Sequence, residues 1–143
     1  MASSAFWAIG SVLQLGDGAT PEVFTSIAEI TKLVPPKMKR DSSEVTHYNS
    51  TLQYREFIAG LRDGGEVAFE ANWLPNNATQ DETTGVMKSF NDNTNHNWKI
   101  VLPDSIGTFA FAGHITAFEP DTPLDNKAAL AGTIKVSGPV TFS

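Results

Sequence analysis

The residues with the most chemical reach are few and scattered. Histidine is the side chain best suited to ligate a metal or move a proton near neutral pH. The chain holds three, His47, His96 and His114, far apart and in no HxH or HExxH pair, so no zinc-type site is spelled out. Gly16-Asp17-Gly18 opens like the phosphate-cradling GxGxxG, but Pro21 stands where the third glycine belongs, and a turn is expected instead. Neither a P-loop nor a nucleophile-elbow pattern occurs. Asn91-Asp92-Asn93-Thr94-Asn95 begins like a calcium loop, yet the sixth position is not glycine and Leu102 replaces the bidentate glutamate. The paired carboxylates Asp81-Glu82 and Glu66/Glu70 would need a buried member to act as acid and base, and they read as solvated faces. No catalytic residue, cofactor-binding residue or metal ligand is assigned, and an enzyme is not expected.

Composition narrows the field further. With no cysteine, disulfide frameworks, thiolate metal sites and thiol nucleophiles are all excluded. Ten basic residues against 16 acidic ones leave a net charge of −6, so binding to duplex DNA gains nothing from counterion release. At 143 residues, 41% hydrophobic and 18% charged, one globular domain is expected. Surface scaling gives a compact monomer of this size roughly 7,000 Å² of accessible area. No run nears the ~20 apolar residues of a membrane helix, and Met1 to Leu15 lacks the basic start of a secretion signal. A soluble cytoplasmic chain is expected, with its sequons at Asn49 and Asn77 unused.

The elements that must position these residues are mostly strands. Period-two alternation is cleanest from Glu66 to Trp73, with Val67, Phe69, Ala71 and Trp73 on one face and Glu66 and Glu70 on the other. It recurs in Trp98, Ile100 and Leu102, and in Phe109, Phe111, Gly113, Ile115 and Ala117. The stretch Ala128 to Ser137 repeats it with Leu130, Gly132, Ile134 and Val136. Further strands are expected over Ser11 to Leu15 and Pro21 to Leu33; in the latter Phe24, Ile27 and Ile30 break parity, which points to a bulge or an edge. Helical spacing marks Gln80 to Asp92, where Val86, Met87 and Phe90 form a stripe. It also marks Tyr54, Phe57, Ile58 and Leu61, stopped by Asp63-Gly64-Gly65, although a structured loop with one helical turn fits that short piece nearly as well. Pro35 to Gln53 is weakly patterned, a long excursion around a short strand from Ser43 to His47. The fold class expected is mainly β, a sandwich or barrel carrying one flanking α-helix.

Several stretches, taken in order, resemble the tail tube (major tail) proteins of long noncontractile-tailed, lambda-like bacteriophages. They are Leu13 to Gly18 running into Glu22 to Ile30, Arg40-Asp41 with Val45-Thr46-His47, Arg55 to Val67, Trp98 to Asp104, and Phe111 to Glu119. No single motif is diagnostic; the ordered set covers most of the chain. The resemblance implies a single tail tube domain over residues 1–143, without the immunoglobulin-like decoration of some members. It has an amino-terminal arm at about 1–10 and a long assembly loop at about 35–53. It implies hexameric rings stacked into a hollow tube, with inner strands forming one barrel around the channel through which DNA leaves the capsid without specific binding. The partners implied are further copies of the chain together with the tail tip or initiator, tape measure and tail terminator proteins, with no membrane and no cofactor. The location implied is the virion tail, assembled in the host cytoplasm.

Within that frame Glu66 and Glu70 are expected to face the lumen, where acids would let a polyanion slide. Phe6, Trp7 and Ile9 of the arm, with Arg55, Glu56, Arg62 and Asp63 around the apolar Phe57, Ile58 and Leu61, are expected between subunits. Arm and loop are expected to order on assembly. Two other classes stay open: a ring-forming head–tail connector or type VI secretion tube protein, which shares the ring geometry, and a monomeric β-sandwich module for sugar or peptide, which shares the acidic, cysteine-free, aromatic composition. Filaments, closed rings and monomers distinguish the three.

Overall fold

The computed structural model describes residues 3–143, so Met1 and Ala2 of the expected arm lie outside the described residues. The strands are β1 (Val12–Gly16), β2 (Phe24–Ser26), β3 (Ile30–Val34), β4 (Lys39–Glu44), β5 (Phe57–Asp63) and β6 (Glu66–Asn72). A single short helix, α1 (Val86–Asn91), precedes β7 (His96–Val101), β8 (Thr108–Asp121), β9 (Ala129–Val136) and β10 (Thr141–Phe142). All pairings are antiparallel. One sheet runs β2-β1-β7-β8-β9-β6-β3, with β10 added beside the first half of β8, and β4 and β5 form a separate two-stranded sheet. The long sheet curls until β1, next to one edge, approaches β3 at the other edge. Its mainly β, barrel-like form with one flanking helix is the fold class expected from the alternation.

The core lies inside that curl. Leu13, Val67, Phe69, Trp98, Ile100, Leu130 and Ile134 are each 1% exposed or less. The Trp98 indole N–H, buried with its ring, donates to the carbonyl of Gly113 on β8 at 3.1 Å. Buried residues alternate without a break with more open ones in both β6 and β9, exposed in β6 up to Asn72 and half-buried in β9, because each strand packs only one face on the core.

Two bulges decide which residues turn inward elsewhere. On β8, Ile115 pairs with Ile134 and Ala117 with Thr133, so Thr116 is the extra residue. Beyond it the inward parity switches: Phe118, opposite Gly132, joins the core and stacks on Phe90 of α1 at 6.1 Å between ring centroids. The expected parity through Ala117 therefore fails at its last member. On β3 the register shifts between Ile30 and Lys32, and Glu29 before it holds a positive φ of 54°. The expected strand from Pro21 to Leu33 is thus two strands, with a turn and a bulge that let Ile27, Ile30 and Leu33 all reach the core.

Two helical expectations are corrected. Gln80 to Gly85 is a series of turns, and only Val86–Asn91 is helical. Asp81 binds the backbone N–H groups of Thr83 and Thr84 with its own carboxylate, and that local bonding competes with a helical first turn. The segment Tyr54 to Leu61 is no helix at all. From Phe57 it is strand β5, paired with β4 from Lys39↔Asp63 to Glu44↔Phe57. The strand expected at Ser43 to His47 lies earlier, at Lys39–Glu44, and the expected loop is one arm of this hairpin.

Candidate functional site

With no chemical centre to build, the surfaces left without a packing partner define the site. The hairpin leaves the main sheet at Pro35-Pro36 and returns at Gly64-Gly65. Gly65, at φ +73°, sits so close to the Lys37 carbonyl that a Cβ would collide with it. Its N–H is held by the Asp63 carboxylate at 2.9 Å. Beyond that root every residue of β4 and β5 is exposed. Phe57, Ile58, Leu61, Val45, Tyr48, Leu52 and Tyr54 are all large, apolar or aromatic, and open to solvent. An isolated two-stranded hairpin is marginal in water, and a surface of this kind marks a contact site.

The arm makes a second such surface. Phe6, Trp7 and Ile9 are 50%, 84% and 81% exposed. Phe6 and Ile9 border a cleft of about 560 Å³ against Ile30, Leu33, Ile100 and Leu102, so the arm skirts its own chain without joining a strand. The whole chain exposes 9843 Å², well above the roughly 7,000 Å² of a compact monomer of its mass. The exposed arm and the fully exposed strands of the hairpin contribute to that excess.

The charged residues expected between subunits do not form one cluster. Glu56 turns inward on the hairpin, accepting from the Ser50 hydroxyl and lying 3.3 Å from His47 Nε2. Asp63 sits at the hairpin root, 3.4 Å from Lys135 Nζ. The Gly65 N–H, and after it Lys135, holds its carboxyl below the ordinary value. Arg55 and Arg62 are exposed and make no ion pair among the described residues. Glu66 and Glu70 do share the outer face of β6, away from the core, with Ala68 between them. That face is not purely acidic: Lys32 lies 3.9 Å from Glu70, and Lys135 is the cross-strand partner of Glu66.

Sequence reasoning missed Gln80. It is 1% exposed; its side-chain carbonyl accepts from the Leu74 N–H at 2.9 Å, and its amide donates to the carbonyls of Ala28 and Asn72, each at 3.0 Å. It ties the β2–β3 turn to the end of β6. The only signal was a polar residue inside a region patterned as a helix. Gly16-Asp17-Gly18 is a turn, as expected, with Asp17 accepting from the Ala19 and Val23 N–H groups. Among the described residues no three His, Asp or Glu side chains converge on a metal position, and no helix is long and apolar enough to cross a membrane.

A curled barrel that holds its core inside and carries unpartnered apolar extensions is a structural subunit built to associate. The lambda phage tail tube protein family model matches residues 10–143, and the chain belongs to that family. It is a structural protein of the virion tail that associates with copies of itself to form the tube. Among solved structures, a chain of the native gene transfer agent virion is similar at a TM-score of 0.76 and 18% identity, over 97% of this chain and 99% of that one. A chain from the tail of the empty gene transfer agent particle, refined with C6 symmetry, gives 0.77 at 19% identity over the same shares. A chain of the SPP1 tail tube gives 0.64 at 9% identity, over 92% of this chain and 75% of that one. At such identities these likenesses carry the fold. No curated protein matches the sequence.

Proposed function

We propose that the chain assembles as hexameric rings that stack into a hollow tube, with the outer sheet face of β6, β9 and β3 turned to the channel. The observation that carries the reading is the surface area: a monomer this open is incomplete, and burying the hairpin and arm against neighbours supplies the missing contacts. The C6 symmetry of the similar gene transfer agent tail supports six subunits to a ring. The lumen assignment rests on the character of the sheet face, where Ala68, Ala131 and Thr133 leave a low surface between Glu66 and Glu70 that offers DNA little to hold. The hairpin and the arm, with Phe6, Trp7, Ile9, Arg55 and Arg62, are the intersubunit surfaces and gain their partners on assembly. Glu56 and Asp63 act there by bracing the hairpin. Tail tip, tape measure and terminator proteins bind the ends and interior of the tube, assembly takes place in the host cytoplasm, and the chain performs no catalysis of its own.

Electron microscopy of the purified protein tests this directly. Long tubes with sixfold end-on views are expected; closed rings that never stack would favour a connector, and persistent monomers a binding module.

A further inference from the structure

The β4–β5 hairpin root borders a groove of about 770 Å³ whose apolar lining includes Met38, Leu61, Pro139 and Val140. Arg40 and Arg62 line it and are cross-strand partners in the hairpin ladder. Like charges directly opposite each other destabilise a strand pair, and neither guanidinium makes an ion pair or side-chain hydrogen bond among the described residues. Of the acids lining the groove, Asp63 is taken up by Lys135 and the Gly65 N–H, and Asp41 alone remains beside the two arginines. The groove is therefore apolar with an unspent positive wall.

Its complement lies on the same molecule. β8 ends on the exposed acids Glu119 and Asp121, and the loop after it exposes Asp125 and Lys127, with Leu124 at its tip completely open to solvent. Loop and groove sit at opposite ends of one ladder. β9 starts at Ala129, beside Asp121, and ends at Val136, which lies against Gly64 at the groove. Eight residues at strand rise separate the two ends by about 25 Å, so the loop cannot reach the groove of its own chain.

We propose that the β8–β9 loop of one copy, with Leu124 between Asp121 and Asp125, docks head-to-tail in the Arg40/Arg62 groove of the next copy. Such a contact uses two different patches; linking one ring to the next rather than closing within a ring, it repeats along the tube and gives the polymer polarity. The arginines supply register and partner choice, and Leu124 fills the apolar floor. The inference rests on the tube reading above and adds which surfaces meet between successive copies.

The absence of cysteine makes a cross-linking test clean. With a short bis-maleimide on polymerised protein, the double variant Leu61→Cys/Leu124→Cys should give a ladder of covalent multimers. A mixture of the two single variants should stop at dimers, and each single variant alone should stay uncross-linked. Independently, Arg40→Glu/Arg62→Glu should raise the concentration needed to polymerise by about tenfold or more, and adding Asp121→Arg/Asp125→Arg should restore it. If the arginine variant loses its fold, Leu124→Asp at the free tip carries the same expectation. Tubes that form without a covalent ladder, or normal polymerisation by a folded charge-reversed chain, overturn the docking and leave the tube reading standing. A wild-type chain that never polymerises overturns the tube reading and the docking with it.

Discussion

Phe69 and Gly132 face each other across β6 and β9, and the phenyl ring occupies the space a side chain at 132 would need. A Cβ there would collide with the ring edge, and Phe69, 1% exposed, has no room to swing aside. Gly132→Ala should therefore destabilise the monomer by about 1–3 kcal/mol through overpacking. Urea unfolding reads the change, and Phe69→Leu in the same chain should recover part of it. Wild-type stability in Gly132→Ala would remove the close approach from the account of the core.

The buried Gln80 side chain binds three backbone groups of half-buried residues. Truncation to alanine leaves the Leu74 N–H and the carbonyls of Ala28 and Asn72 without it, at an expected cost of about 2–4 kcal/mol. Amide exchange should accelerate locally at Leu74 and in the turn before β3. Unchanged melting would mean that these groups find other partners.

Three carboxylates are expected to contribute to the acid response. Asp17 is held below its ordinary pKa first by the Ala19 N–H, Asp63 first by the Gly65 N–H, and Asp81 first by the Thr84 N–H. Because the folded-state values are depressed, these contributions are present above the ordinary value of 3.8 and are lost as pH falls below it toward the folded-state values. Stability should be level near neutrality and decline in that acidic window. The triple variant Asp17→Asn, Asp63→Asn, Asp81→Asn should show a shallower decline in pH-dependent urea titrations; an identical slope would place the response elsewhere.

Glu66→Lys with Glu70→Lys tests the channel. Both residues are exposed; Glu70 pairs only loosely with Lys32 and Glu66 makes no ion pair among the described residues, so folding should change little, by less than about 1 kcal/mol. Tubes should assemble, while DNA passage slows, most at low ionic strength where phosphate attraction is least screened. Normal ejection rates from such tubes would put this face on the outside.

The sequence by itself determined the strands that pack one face on a core. In β6, β7 and β9 burial imposes period two on the side chains, and that period is legible residue by residue as Val67-Phe69-Ala71 or Leu130-Gly132-Ile134-Val136. It also displayed the absence of any catalytic motif, and the ordered stretches that point to the tail tube family. Tertiary structure alone decided the rest. β5 carries no burial period because neither of its faces is covered within one chain, so Phe57, Ile58 and Leu61 fell by coincidence into helical spacing. The bulges at Thr116 and between Ile30 and Lys32 exist only relative to a partner strand, so no single segment announces them. The lysines beside Glu66 and Glu70, the arginine pair at 40 and 62, and the polar anchor at Gln80 join residues distant in sequence through register and chain path. Local pattern records what a segment buries; only the folded chain determines which segments stand side by side.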